Sequence, residues 1–363
     1  MIVILAGWSA RESLDYKEHE VIMDQRKGGL KMKDITLKNS SLLIENKKRI
    51  KDVYGWESGL IHLACAGIYV SKRKEVDVAV LYRCKQLLKD RVGVFSNFRS
   101  TAQPMIASIL ATSKNPEQAL EDGLSIYQLL KKEFWSSTYL PIAAMIIGQM
   151  AQKDQFEAIA VRTRRIYDRL KQEHPFLTNS QDSANCALLA LSEKTDDELI
   201  HDMEYCYKYF KSSFFSSDAV QSLSHVLAMT PGNNENKCQR TSELFYKLKA
   251  EGHKYGTTYE LPTLGVLAMC EEPMHKLIQE TVEVNDWIAN QKGFGFFSTI
   301  TAKQRLMYAG IVAMSEYLDQ DAMNSVAVNS TVSLIVAQEV AMCAAIMASS
   351  SASMADSSST SSN

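Results

Sequence analysis

The sequence predicts an all-α fold, an array of about seven α-hairpins in which each helix-turn-helix unit takes about forty residues. Three observations lead to this class. A pair of small residues recurs with a period near forty, an aromatic residue recurs with the same period, and the connections between units share one composition. No stretch shows the apolar-polar alternation of a half-buried strand. We therefore expect helices throughout.

The first repeated feature is a small side chain followed three positions later by alanine or valine. Successive pairs lie 38 to 45 residues apart, and His225 replaces the small residue in one of them. Residues i and i+3 share one helix face, so small side chains there let neighbouring helices approach closely. The seven pairs are Gly67/Val70, Ser108/Ala111, Gly148/Ala151, Ala187/Ala190, His225/Ala228, Gly265/Ala268 and Gly310/Ala313.

The second and third features mark the other helix of each unit and the connection that follows it. The aromatic residue near the end of the second helix recurs every 39 to 41 residues. Each connection then couples an aromatic residue to Ser or Thr ahead of a new helix. Four pairs predict capping boxes at these helix starts: Ser100/Gln103, Thr178/Gln181, Thr257/Glu260 and Thr301/Gln304. The aromatic residues are Tyr127, Tyr167, Tyr207, Tyr246 and Trp287.

The arrangement of the hairpins has two interpretations. Units of about forty residues are near the length of HEAT and armadillo repeats, which favours an open solenoid. The run WIANQKGFGF (287–296) is similar to the Gly-aromatic turns of closed α/α toroids such as prenyltransferases and terpene cyclases. That similarity covers one unit, and the Asp-rich motif of the cyclases is absent. A closed α/α toroid is therefore the alternative.

The start of the chain differs from the repeats. RKGGLKM (26–32) reads as the translation of a purine-rich ribosome-binding site just ahead of a start codon. Met32 is therefore the expected start, and residues 1–31 are expected to be a mistranslated leader or a disordered extension.

The remaining boundaries follow from composition. Residues 32–55 are predicted to form an N-terminal helix and linker, and residues 56–318 the repeat domain. Residues 319–348 are predicted to be a capping helix over the end of the array. Residues 349–363 are a Ser/Ala-rich tail that lacks the apolar content to fold.

Charge and cysteine usage limit the classes of function. The 40 Lys and Arg residues nearly balance the 42 Asp and Glu residues, so there is no strong signal for nucleic acid or an anionic membrane. The seven cysteines lie singly in apolar segments without a C-x-x-C motif, which predicts reduced thiols and a cytoplasmic protein. No membrane span is expected, because Asn329, Gln338 and Glu339 interrupt the predicted capping helix.

No catalytic, metal or cofactor motif is present. The sequence lacks HExxH, G-x-S-x-G, paired Cys and His at ligand spacing, and a dinucleotide fingerprint. We therefore predict no metal and no cofactor, and assign no catalytic residue.

The clearest candidate for binding is an arginine stripe. Arg162, Arg165 and Arg169 share one face of a predicted helix, at i, i+3 and i+7. The stripe is either a solvated face with partners such as Asp168 or a binding patch for an acidic peptide, phosphate or nucleic acid.

Two histidines and two glycines are further candidates for a binding site. His62 and His225 lie near the small-residue face and either line a groove or pack between helices. Gly293 and Gly295 lie in a GFG turn between two helices. Because no strand precedes the turn and no Lys-Ser/Thr opens the next helix, it is interpreted as a repeat connector rather than a phosphate loop.

From KDITLKNSSLLIENKKRIKDVYGWESGLIHLACAG (33–67) through the repeats to its Ala/Ser-rich end, the sequence resembles an uncharacterised family of all-helical bacterial proteins, associated with Gram-positive bacteria and described as a domain of unknown function. The resemblance implies no activity. The predicted function is a binding or scaffolding module for a protein or peptide partner. The alternative is an enzyme or small-molecule binder on a toroid, with a pocket assembled from several repeats.

Overall fold

The structure is a computed structural model that describes residues 32–94, 96–134, 139–178, 182–295, 298–317 and 341. The chain divides into two compact units, Met1–Asp34 and Ile35–Asn363. The predicted leader and the predicted tail lie outside the described residues, and so does the predicted capping helix apart from Ala341, which is buried.

The described residues form fourteen α-helices and two short 3-10 helices, and none of them lies in a strand, which confirms the all-α class. The 3-10 helices are Asn97–Arg99 and Lys153–Gln155. The α-helices are α1 (Asp34–Val53), α2 (Gly59–Ser71), α3 (Val78–Arg91), α4 (Gln103–Thr112), α5 (Pro116–Glu133), α6 (Leu140–Met150), α7 (Phe156–Glu173), α8 (Asp182–Leu189), α9 (Asp196–Phe210), α10 (Ser217–Met229), α11 (Asn234–Ala250), α12 (Leu261–Ala268), α13 (Met274–Ala289) and α14 (Ala302–Met314).

Two kinds of helix alternate along the chain. The even-numbered helices are mostly apolar and bury nearly all of their residues, as in α2, where every residue from Ile61 to Ser71 is buried. The odd-numbered helices bury one stripe at helical spacing, as α7 does with Ile159, Thr163, Ile166 and Leu170. We call the even-numbered helices central and the odd-numbered helices peripheral.

The central helices contact one another in chain order, and the last contacts the first. Each one from α2 to α12 contacts the next central helix, and α14 contacts α2. From α3 onward, each peripheral helix also contacts the central helix that follows it. The seven small-residue pairs all lie in or directly after central helices.

Central helices run parallel, because one antiparallel peripheral helix separates each from the next. Their carboxyl ends therefore meet at one end of the unit. Arg73, just after α2, donates to the carbonyl of Ser315 after α14 at 2.9 Å from Nε, and Lys74 donates to the carbonyl of Thr112 at the end of α4.

Cationic side chains satisfy the carbonyl groups at these carboxyl ends. The last four carbonyl groups of a helix have no partner within the helix and carry its negative dipole charge, so buried ends need donors. We call the cationic side chains that bind them carbonyl clamps. They are Arg73, Lys74, Arg162, Lys194, Lys237 and Arg240.

Two of the clamps repeat the same geometry. Arg162 on α7 donates to carbonyl groups 28, 30 and 32 residues further along the chain. Arg240 on α11 does so at the same three spacings. The acceptors are Ala190, Ser192 and Lys194 for Arg162, and Ala268, Cys270 and Glu272 for Arg240.

Candidate functional site

The arginine stripe lines a shallow surface groove between α7 and the start of α9. Peripheral helices α7 and α9 contact each other, which brings Asp196 and Asp197 opposite the stripe. Four cationic side chains and two carboxylates line the groove, so its lining carries an excess of positive charge. The lining residues are Arg162, Arg165, Arg169, Lys194, Thr195, Asp196 and Asp197.

Arg162 stabilises the wall of this groove. Its side chain is 18% exposed, and Nε donates to Oδ1 of Asp196 at 2.8 Å. Its Nη1 donates to the carbonyls of Ala190, at 3.2 Å, and of Ser192, while Nη2 donates to that of Lys194. Because all its nitrogens are engaged with the end of α8 and the start of α9, this guanidinium holds the two helices together.

Arg165 and Arg169 are more accessible to a ligand. Their side chains are 58% and 37% exposed. Arg165 Nε donates to Oδ2 of Asp196 at 3.0 Å, and Arg169 Nη1 donates to Oδ1 of Asp197 at 2.6 Å. Exposed ion pairs of this kind contribute about 0–1 kcal/mol each, so an incoming anion can displace the carboxylates at small cost.

Asp196 is held in its charged form at the centre of the groove. Burial opposes ionisation of this carboxyl group, but hydrogen bonds from Arg162 and Arg165 outweigh burial and lower its pKa. Asp196 also lies in the first turn of α9, where the helix dipole favours a negative charge.

The structure places His62 away from the groove. His62 is buried on α2, and its Nε2 lies 2.7 Å from the carbonyl oxygen of Tyr54. Burial lowers the pKa of His62, against the effect of the hydrogen bond to Tyr54. This contact fixes the connection between α1 and α2.

His225 is fully buried on α10, and neither ring nitrogen has a hydrogen-bond partner among the described residues. Burial, followed by the nearby charge of His174, lowers the pKa of His225 to about 3. It is therefore a neutral packing residue at the position where other units carry a small side chain.

The buried state of His225 predicts a loss of stability in acid. In the unfolded chain a histidine has a pKa near 6.5, whereas the folded chain excludes this proton until about pH 3. The contribution of neutral His225 to the free energy of unfolding is complete above about pH 6.5. It falls by about 1.4 kcal/mol per pH unit as the pH drops from about 6.5 towards 3. We expect His225→Leu to weaken the pH dependence of the urea midpoint between about pH 6.5 and 5.

His275 lies exposed on α13 and supplies the matched control, His275→Gln. A pH dependence that is equal in the wild-type protein and in His225→Leu would show that His225 accepts a proton in the folded state.

The GFG turn connects α13 to α14. Gly293 has a φ of +89°, a conformation that side chains with a Cβ rarely adopt. Phe294 is buried under the ammonium group of Lys47, 5.0 Å from the ring centroid, and its carbonyl accepts from Arg305 at 2.9 Å. A Cβ on Gly295 would come no closer than 3.9 Å to its nearest neighbour, the carbonyl oxygen of Ala289. The turn anchors α14 against α1.

Lys194, Asp196 and Asp197 line the groove without any sequence motif that marks them. They lie about thirty residues after the arginines, and no local spacing links the two segments. The period near forty could have linked them, because hairpins that follow one another at this spacing bring the turn after α8 beside α7.

Metal sites and membrane spans are both absent from the described part of the chain. That part holds no group of three or more His, Cys, Asp or Glu side chains able to bind a metal ion. None of its helices combines the length and apolar composition that a membrane span needs.

These features define an all-helical protein with a charged surface groove. Residues 46–341 match the profile of a family described as protein of unknown function (DUF4003). The match covers well over half of the chain, so the chain belongs to this family, and the resemblance noted in its sequence is confirmed. Its bacterial origin stays a prediction. No curated protein and no solved structure matches the chain.

Proposed function

We propose that the protein is a binding module built on a closed α/α toroid of seven hairpins, and that its groove between α7 and α9 holds an acidic segment of a protein or peptide partner. The observation that carries the proposal is the pair Arg165 and Arg169, two accessible guanidinium groups on one face of a groove lined by an excess of cations. Guanidinium groups bind carboxylates through paired hydrogen bonds.

The toroid is supported by the contacts between the ends of the array. An open solenoid keeps its terminal repeats apart, whereas α14 contacts α2, and Arg73 donates to the carbonyl of Ser315. Asn39 on α1 also donates to Oγ of Ser315, at 3.0 Å. These contacts favour the closed alternative over the HEAT-like array.

The burial of the central helices favours a binding site on the peripheral surface over an active site between the central helices. An enzyme with a pocket assembled from several repeats needs open space between the central helices. The described residues of α10 from Ala219 to Met229 are nearly all buried, as are those of α12 and of most of α14. A ligand therefore reaches the peripheral surface more readily than the middle of the unit.

Replacing Arg165 and Arg169 together with glutamine should weaken binding of a fluorescein-labelled oligoglutamate peptide about tenfold, equivalent to about 1.4 kcal/mol. Fluorescence anisotropy measures the change. Arg162 is left intact because it holds the end of α8. Added salt should weaken binding to the wild-type protein, since exposed charges are screened beyond about 8 Å at physiological ionic strength.

The control is Arg91→Gln. Arg91 forms an exposed ion pair with Glu121, 2.8 Å apart, on helices outside the groove. An oligoglutamate affinity that is equal in the double variant and the control would exclude this groove as the binding site.

A further inference from the structure

Exposed aromatic side chains gather around the ends of α9 and α11, two peripheral helices that contact each other. Tyr209 and Tyr246 lie near the ends of these helices, and Phe215, in the turn after α9, is fully exposed. Tyr205 lies one turn before Tyr209 on the same helix. We call Tyr205, Tyr209, Phe215 and Tyr246 the aromatic patch.

A series of buried rings supports the aromatic patch. The ring of Tyr209 contacts that of Phe210, with centroids 4.9 Å apart, and Phe210 stacks on Phe214 at 5.8 Å. Phe214 meets Phe245 edge-on at 5.1 Å, and Phe245 contacts Tyr246 at 5.4 Å. Because Phe210, Phe214 and Phe245 are buried, the exposed rings are held around one packed aromatic base.

Lysines accompany the aromatic patch. The segments 205–215 and 246–250 contain four exposed lysines and no Asp or Glu. Two of these lysines form ion pairs with carboxylates one helical turn earlier. An acidic chain is attracted to such a surface, so the charge around the patch matches the charge of the groove. The four are Lys208, Lys211, Lys247 and Lys249.

The exposed face of α9 connects the aromatic patch to the groove. Every fourth residue of α9 is exposed, starting from Asp197, the partner of Arg169 in the groove. Residues four apart are neighbours on a helix surface, so these side chains form one continuous surface. Its two ends are twelve residues apart, about 18 Å along the helix axis. The residues are Asp197, His201, Tyr205 and Tyr209.

We propose that the partner segment bound in the groove continues along α9 and places apolar side chains on the aromatic patch. This inference rests on the proposed function and extends it, because it defines the chemistry of the partner at two points. Acidic residues of the partner bind Arg165 and Arg169, and apolar residues about 18 Å away pack on the patch. An extended chain spans that distance with about six residues, at about 3.3 Å per residue.

The composition of the patch favours a protein segment as its occupant. Tyrosine, phenylalanine and arginine are enriched in protein interfaces, and the arginines of the groove and the rings of the patch share one surface. A tyrosine ring packs on apolar side chains while its hydroxyl group stays hydrated at the rim. Apolar residues of the partner therefore cover rings that face water in the free protein.

Fluorescence anisotropy with three fluorescein-labelled peptides tests the proposal. The first is oligoglutamate alone. The second joins oligoglutamate to Leu-Leu-Phe through a Gly-Ser linker of about ten residues, whose r.m.s. end-to-end distance is about 17 Å. The third ends in Ser-Ser-Ser instead. The wild-type protein should bind the Leu-Leu-Phe peptide at least about tenfold more tightly than the other two, because both sites bind one chain.

The variant Tyr209→Ser/Phe215→Ser should lose this gain and keep its affinity for oligoglutamate alone. Phe215→Ser alone removes a fully exposed ring and should already reduce the gain in a protein that keeps its fold. Tyr82→Ser is the matched control, because Tyr82 is an exposed aromatic residue on α3, and this variant should retain the gain.

An equal gain in the wild-type protein and the double variant would overturn the proposal, and so would equal affinities of the wild-type protein for the Leu-Leu-Phe and Ser-Ser-Ser peptides. In both cases intact oligoglutamate binding would leave the groove in place. A wild-type protein that binds none of the peptides would refute the groove as well. Phe215-dependent binding to phosphatidylglycerol vesicles, or a dimer that Phe215→Ser dissociates, would assign the patch to a membrane or a second copy instead.

Discussion

Replacing Gly148 with alanine should lower the free energy of unfolding by about 1–3 kcal/mol, the range expected for overpacking. A Cβ on this residue would lie 2.9 Å from the backbone nitrogen of Gly123 and 3.1 Å from the carbonyl carbon of Asp122, on the neighbouring helix α5. Helix backbone atoms cannot rotate aside as a side chain can. Helices α5 and α6 would have to separate, which outweighs the roughly 1 kcal/mol that alanine gains over glycine in helix propensity.

Gly310→Ala is the matched control for this prediction. The nearest atoms to its added Cβ are Cδ2 of Leu267, at 3.4 Å, and Oη of Tyr255, at 3.5 Å, which is ordinary contact. Gly265→Ala should fall between the two, because its closest contact, 2.6 Å away, is the movable Cδ1 of Leu223. Urea unfolding measures all three variants. Equal midpoints for Gly148→Ala and Gly310→Ala would mean that α5 and α6 do not approach as closely as described.

Arg162→Met should lower the free energy of unfolding by about 2–4 kcal/mol. Hydrogen bonds to charged groups contribute about 1.5–3 kcal/mol each, and a buried polar group left without its partner adds its own desolvation cost. The substitution removes the donor to three carbonyl groups in the turn between α8 and α9 and leaves Asp196 without its more buried partner. Methionine keeps most of the apolar stem, so the loss reports on the guanidinium group.

Arg165→Met is the control, because Arg165 shares Asp196 with Arg162. Its side chain is 58% exposed, and its ion pair is expected to contribute less than about 1 kcal/mol. Urea unfolding should therefore give a clearly lower free energy of unfolding for Arg162→Met than for Arg165→Met. Similar losses for both would show that Arg162 acts as an ordinary surface ion pair and not as a carbonyl clamp.

Much of the local structure could be predicted because it depends on neighbours along the chain. The small-residue pairs identify the central helices, since a close helix contact requires small side chains every turn on one face. The capping box of Thr301 and Gln304 forms as expected, with the amide of Gln304 bound to Oγ1 of Thr301 at 3.2 Å. The predicted boxes of Ser100 and Thr257 are wrong, because Ala102 and Glu260 are the N-cap residues of α4 and α12 and neither side chain caps its helix. Gln181 of the remaining predicted box lies outside the described residues.

The candidate site was predicted in part. Spacing places Arg162, Arg165 and Arg169 on one face of α7, and the structure brings them to one groove. Spacing cannot distinguish Arg162 from its neighbours, because the difference lies in Asp196 and in the carbonyl groups after α8. In the sequence the three arginines look equivalent. In the structure Arg162 holds the turn after α8, whereas Arg165 and Arg169 are accessible to a ligand.

By itself the sequence determined the helical class and showed a period near forty, because both depend on residues three to forty positions apart. Only the tertiary structure decided that α14 contacts α2 and that Arg162 reaches the carbonyl groups of the turn after α8. Whether an array closes depends on a small rotation between neighbouring hairpins, added over all of them. No local spacing records that rotation, and residues on separate hairpins meet only after it is fixed.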